Sequence, residues 1–189
     1  KEYRRQRQMC IRDRLYMEHF PYVSRLWFGE YFDYNLNPDF WMAEVAGIPF
    51  GLTGEMLEKG GRPYHGLVFG MTTRVYHNYN PGNLWRLFED FGIADSRMIG
   101  YWVDDSPVKV DNEKIKCTIY QKDDKVMISI ASWSNKDEFL KLNINWNKLG
   151  FDKFKSSLTS PLISDLQGKY KFEIDEEIRI EKNSGIVLI

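Results

Sequence analysis

The chain has 189 residues, enough for one large domain or two small ones around a real core. Its 26 basic and 27 acidic side chains leave a net charge of −1, a balance that argues against nucleic-acid or anionic-membrane partners. No apolar run approaches the length of a membrane-spanning helix, and no spacing of Cys10, Cys117, His19, His65 and His77 suits a metal, so neither metal nor cofactor is expected.

The near-neutrality hides an asymmetry. Residues 1–14, KEYRRQRQMCIRDR, carry six of the basic side chains against Glu2 and Asp13, and the remainder is acidic. This segment resembles the conceptual translation of sequencing-adapter DNA. On that reading neither the basic cluster nor Cys10 has a biological role, and the chain is a fragment truncated upstream of Leu15. The alternative is a basic targeting or nucleic-acid segment.

Val23 to Phe28 is a short apolar and aromatic run that predicts a buried strand. It breaks at Gly29 and delivers Glu30, Tyr31, Asp33 and Tyr34 into a loop. A buried strand ending in glycine, carboxylates and aromatics has the character of the carboxyl edge of a parallel-barrel strand, where active sites collect. Carboxylates act as acids, bases or nucleophiles and aromatic rings stack on sugar faces, so the pairing points to carbohydrate. The competing reading is a strand–loop junction whose acidic residues cap the next helix.

Asn35 to Asp39 is a helix-start signal, with polar caps and Pro38 in the first turn. Helical spacing then runs from Phe40 to Val45, and Gly47 stops it. Ile48-Pro-Phe-Gly51 is either a connection or the final short strand of a barrel. Gly51 to Gly61 reads as a glycine-rich loop around Glu55, which either lines a site or caps a helix. Tyr64 to Arg74 is apolar and rich in small residues, and it reads as a buried helix or strand. Pro81 to Phe91 predicts an amphipathic helix, with Leu84, Leu87, Phe88 and Phe91 on one face and Gly92 as its stop.

From about Pro107 the texture changes to short strands with regular turn signals. Lys114 to Gln121 places Ile115, Cys117 and Ile119 on one face. Asp123 to Lys125 predicts a hairpin turn into Val126–Trp133. A further strand is expected from Phe139 to Trp146, a turn at 147–152, and then strands at 158–163, 170–174, 178–180 and 186–189. The expected architecture is α/β plus all-β, with 15–104 the first part and 105–189 an antiparallel β-sandwich.

The strings LWFGEYFDYN, PDFWMAEVAGIPFGLTGEML, GLVFGMTTR, VMISIASW, LNINWNKLGF and LTSPLISDLQ resemble a family of large bacterial proteins described only as glycoside hydrolases. Their domain is one of unknown function (number 6067), distantly similar to glycoside hydrolase family 123, whose members act on N-acetyl-galactosamine residues. The resemblance covers about residues 20–189. It implies that 15–104 hold the last strands and helices of a (β/α)8 barrel and 105–189 an accessory sandwich, in a secreted or periplasmic parent. It also implies a carbohydrate substrate and, as partner, a missing N-terminal barrel portion of the same chain.

On this combined reading Glu30, Asp33 and Glu55 are the candidate catalytic-face carboxylates. Trp27, Tyr31, Tyr34 and Arg74 are the candidate substrate contacts, although Trp27 could equally be core and Arg74 could form a structural pair with Asp104. Family 123 enzymes use an adjacent Asp–Glu pair with the substrate's acetamido group as nucleophile. The adjacent pairs here, Asp137-Glu138 and Asp175-Glu176, fall in the sandwich and are not expected to be that dyad. Trp133 and Trp146 read as sandwich core, with surface sugar binding as the alternative. As cut, the chain is expected to expose apolar edges and aggregate. The alternatives are a non-catalytic carbohydrate-binding or structural module, or an inactive barrel kept as a scaffold.

Overall fold

The computed structural model describes residues 22, 25–28, 33–50, 53–56, 62–71 and 80–189. The first described strand, β1 (Arg25–Phe28), lies within the predicted run and pairs in parallel with β2 (Thr53–Met56). The connection is helical: α1 (Pro38–Phe40) runs into a wider π turn at Trp41–Val45. As the sequence predicts, Pro38 opens this helix and Asn37 caps it, its side chain accepting from the Phe40 N–H at 2.9 Å. Gly47 then reverses the chain at φ 70°.

The glycine-rich reading of 51–61 needs correction, because β2 occupies its centre. Gly and Glu are poor strand formers, but the ladder to β1 supplies the hydrogen bonds. Gly54 is buried where β2 passes the π turn, and its N–H donates to the Ala46 carbonyl at 2.9 Å.

Two helices follow. The first, α2 (Pro63–Val68), is buried on every side from Tyr64 onward. The second, α3 (Pro81–Phe91), has the predicted bounds, with Asn80 as N-cap and Gly92 in the left-handed conformation at its end. Leu84 and Phe91 are buried, and Leu87 and Phe88 pack against the same core.

The rest of the chain is antiparallel. A four-stranded sheet in the order β12-β6-β5-β3 is formed by β3 (Arg97–Ile99), β5 (Ile115–Gln121), β6 (Val126–Ser132) and β12 (Gly185–Leu188). The β5–β6 hairpin turns at 122–125, as predicted, with the Lys122 N–H donating to the Lys125 carbonyl at 2.9 Å. Three two-stranded ladders complete the β structure: β4 (Val108–Lys109) with β8 (Asn143–Ile144), β7 (Glu138–Leu140) with β11 (Ile178–Ile180), and β9 (Leu158–Ser160) with β10 (Tyr170–Phe172). The strand expected across 139–146 is therefore two strands. They pair with different partners, and Trp146 opens a helical turn, α4 (Trp146–Leu149), capped by Asn145. Strand β3, ahead of residue 104, pairs with β5 in the four-stranded sheet.

Strand β6 is buried on both faces, and alternation sends its side chains into two cores. Val126, Ile128 and Ile130 join Ile115, Cys117 and Ile119 of β5 in a core closed by the ladders, with Val108, Leu140, Leu158 and Ile178. Met127 and Ala131 face the opposite core, closed by α2, α3 and the π turn, with Trp41, Leu67, Val68, Leu84 and Phe91. This is the facing the sequence predicts for β5 and β6.

Two polar contacts dock α2 on the sheet. Helix C-termini leave carbonyls without partners, and here the Tyr120 hydroxyl donates to Leu67 O at 2.6 Å and the Thr118 hydroxyl to Val68 O at 2.7 Å. Thr118 Oγ1 also accepts from the Tyr101 N–H at 3.2 Å. At the other end of α2 the chain approaches β12 so closely that only glycine fits at 185, since a Cβ there would lie 2.1 Å from the Ile130 carbonyl and 2.6 Å from Tyr64 Cβ.

The outer side of β12 is satisfied by Gln167. Its amide accepts from the Val187 N–H at 2.9 Å and donates to the Val187 carbonyl at 3.0 Å, while Thr159 and Ile189 exchange two backbone bonds of 2.8 Å.

Three substitutions test this arrangement in urea melts. Gly185→Ala is expected to destabilise by about 1–3 kcal/mol through overpacking, whereas Gly168→Ala, with nothing within 4 Å of the added methyl, should be silent. Thr118→Val strands the Val68 carbonyl and the Tyr101 N–H in a buried setting and should destabilise by about 2–3 kcal/mol.

Candidate active-site face

A parallel strand pair with a helical crossover brings two carboxyl ends side by side, and the loops there lie where helices begin. In the β1–β2 register Trp27 pairs with Glu55, and Phe28 with Met56 as the last pair. Two candidate positions, drawn from separate stretches of sequence, thus meet one step from the ends of neighbouring strands. For both, the described part is the strand backbone. Glu30, Tyr31 and Arg74 lie outside the described residues.

Asp33 and Tyr34 are described. Asp33 is exposed, and its Oδ1 accepts from both the backbone N–H and the side-chain amide of Asn35, each at 2.9 Å, while its carbonyl accepts from the Leu36 N–H at 3.1 Å. This is an Asx turn, so the capping and turn reading accounts for one carboxylate oxygen. Tyr34 is half-buried, with its ring 5.3 Å from that of Trp41, so part of the expected stacking surface is engaged in the core.

Arg62, just ahead of α2, was not singled out by the sequence. Its guanidinium donates to the Asn35 side chain and, at 3.3 Å, to Asn183 Oδ1 in the turn between β11 and β12. Partial burial lowers its pKa and the Asp33 carboxylate opposes that shift. Through Arg62 the loop after β1 is thereby tied to a turn 121 residues beyond that arginine. No local pattern could have revealed this.

Behind the loop lies an aromatic cluster. His65 sits fully buried with its ring centre 4.2 Å from that of Trp133 and 5.4 Å from that of Trp41. Trp133 is half-buried against the core that α2, α3 and the π turn close, not in the sandwich core expected of it, and Trp41 stacks on Phe69 at 6.1 Å. No hydrogen bond of good geometry forms at either ring nitrogen of His65 or at the indole nitrogens of Trp41 and Trp133. Burial pushes the His65 pKa down to about 3, aided by the Arg62 charge and opposed by the Ser132 backbone. The imidazole is thus neutral in the folded protein at ordinary pH.

The adjacent acidic pairs are structural, as expected. Asp137 accepts two bonds from Arg179, at 2.7 and 3.1 Å, and one from the Lys182 N–H at 3.0 Å. Glu138 accepts from Ser134 Oγ at 2.7 Å. Asp175 pairs with Lys153 at 2.7 Å, and Glu176 accepts from the Glu173 N–H at 2.9 Å. Asp104 is exposed, and its backbone carbonyl accepts from Lys109 Nζ at 2.6 Å.

Comparison with known families gives two adjacent matches. The model described as glycoside hydrolase 123, C-terminal domain, matches residues 80–189, and that described as glycoside hydrolase 123, TIM-barrel domain, matches residues 1–76. The chain belongs to glycoside hydrolase family 123. No curated protein and no solved structure matches it significantly. The family 123 TIM-barrel match takes in β1, α1, β2 and α2, as well as residues 1–14. Its join with the C-terminal match does not separate two cores, because α2 on one side and α3 and β6 on the other pack together.

A pH series tests the neutral state of His65. Its folded pKa lies below the unfolded value of 6.5, so below that pH the unfolded chain binds the extra proton. The His65 contribution is complete above about pH 6.5, shrinks as the pH falls, and amounts to a loss on the order of 4 kcal/mol near pH 3. Urea midpoints at pH 7 and pH 4 should therefore differ less in His65→Phe than in the parent chain.

Proposed function

We propose that this chain supplies the C-terminal part of a carbohydrate-active glycoside hydrolase: closing strands of the barrel, part of its sugar-binding face, and the accessory sandwich behind it. The observation that carries this reading is the parallel β1–β2 pair within the TIM-barrel match, with Trp27 opposite Glu55 near the strand ends. Active sites of such barrels gather at that end.

In this reading Glu30, Asp33 and Glu55 supply hydroxyl contacts or stabilise positive charge at an oxocarbenium-like centre. Trp27, Tyr31 and Tyr34 offer stacking faces. Arg74 binds substrate oxygens. Arg62 holds the Asp33 loop against the sandwich. The substrate class is a glycan containing N-acetylhexosamine. The Asp–Glu pair for a substrate-assisted mechanism belongs to barrel strands upstream, since Asp137-Glu138 and Asp175-Glu176 are engaged in ion pairs and backbone contacts. Seventy-six residues are also few for a barrel that typically needs about 250.

Sequencing the source DNA ahead of Leu15 and expressing the longest continuous frame tests this. The extended protein should release p-nitrophenol from an aryl N-acetyl-β-galactosaminide. Glu30→Gln and Glu55→Gln should each lower kcat by about 10²-fold or more without moving the melting temperature. Asp137→Asn should leave kcat unchanged. A frame that begins near Lys1, or an extended protein whose rate ignores both glutamate substitutions, overturns the proposal.

A further inference from the structure

The face of the β-rich part remote from α2 carries an open concavity of about 880 Å³ between β8, α4 and the turn at Lys153–Lys155. Its lining includes Asn143, Trp146, Asn147, Phe151, Lys153 and Phe154. A second hollow of about 360 Å³ shares Asn143, Ile144, Trp146 and Lys153 with it, so the two form one groove. Volumes of this order match ordinary ligand sites.

Phe154 is 95% exposed. Burying such a ring would stabilise the fold by roughly 1.5–3 kcal/mol, yet the chain holds it outward on a pinned turn. Asp152 Oδ1 accepts from the Phe154 N–H at 3.0 Å, the Asp152 carbonyl accepts from the Lys155 N–H at 3.1 Å, and Ser156 Oγ donates to that same carbonyl at 2.8 Å. The backbone that carries the ring is therefore preorganised, so binding has to order the side chain and not the turn. On the opposite wall, Asn145 caps α4 through the Lys148 N–H at 3.0 Å and fixes Trp146 at the first helical position. The side-chain amides of Asn143 and Asn147 enter no hydrogen bond among the described residues. Of the two lysines that line the groove, Lys153 pairs with Asp175 at 2.7 Å, and Lys141 stands among the carboxylates Asp111, Asp152, Asp175 and Glu176, which also line it.

We propose that this groove is a non-catalytic binding site for a neutral pyranose glycan. A sugar ring presents an apolar C–H face and an equatorial belt of hydroxyls. Phe154 and Trp146 suit the former, and the planar amides of Asn143 and Asn147 suit the latter as paired donors and acceptors. The four lining carboxylates, against two lysines, disfavour polyanions. The groove lies across the sheet from the barrel elements, because α4 and β8 close one core while α2 closes the other. Binding here is thus separate from the proposed catalytic face and does not depend on it.

Native electrophoresis of the full chain through gels containing glycol chitin, hydroxyethylcellulose or galactomannan tests the site. Retardation is expected in at least one gel, weakened about tenfold by Phe154→Ala, equivalent to about 1.4 kcal/mol of stacking, and clearly weakened by Asn147→Ala. Phe139→Ala, at a 63% exposed position on β7, should leave retardation unchanged. Absence of retardation in all three gels, persistence of it in Phe154→Ala, or an equal loss in Phe139→Ala overturns the proposal. The last outcome would point to non-specific apolar adhesion or a protein partner. Because the assay reads binding without turnover, its failure leaves the proposed hydrolase reading intact.

Discussion

Strand β6 has no solvent face, and that single fact organises the chain. An antiparallel sheet can usually leave one side to water. Here Met127 and Ala131 need cover as much as Ile128 and Ile130 do. The cover comes from outside the β-rich part, in the form of α2, α3 and the π turn. A six-residue helix has little stability of its own, so α2 exists because the sheet accepts its apolar sides and Thr118 and Tyr120 accept its carbonyl end. The apolar and polar terms act on the same contact. Neither would suffice alone.

The same docking fixes the loop after β1. Arg62 stands one residue before α2, so when α2 seats on β6 the guanidinium is delivered to Asn35 on one side and Asn183 on the other. His65, three residues on, fills the space between Trp41 and Trp133 and must stay uncharged to do so. The loop after β1 is held by a part of the chain that a linear domain diagram would assign to a separate unit. In family 123 terms, the C-terminal domain is structurally continuous with the barrel piece preceding it.

What could be read from the sequence follows from how local its cause is. The helix at 81–91 is written in a 3.6-residue period with a cap at each end, and the 115–132 hairpin in a two-residue alternation around Asp123-Asp124. Both emerge with their facing intact. Thr53–Met56 reads as loop from local sequence because Gly54 and Glu55 do not favour strands, and its ladder is contributed by β1 from far up the chain. The run from Phe139 to Trp146 looked continuous because apolar alternation persists through Lys141. The break is imposed by β11 and β4, two unrelated partners. At the candidate site, the carboxylates and aromatics were legible as residue types. Arg62 and His65 were not, since their roles exist only once distant segments meet.

The amide of Gln167 has a consequence for the life of this sheet among other chains. An uncovered strand margin is a template on which any extended peptide can crystallise into a continuing ladder. At β12 that margin is occupied by one side chain imitating a neighbouring strand at Val187, backed by the Thr159–Ile189 exchange. The margin is sealed by the molecule's own substance without the expense of a further strand. It therefore presents no free backbone at Val187 to an invading peptide, which is the step by which β proteins swap segments or polymerise.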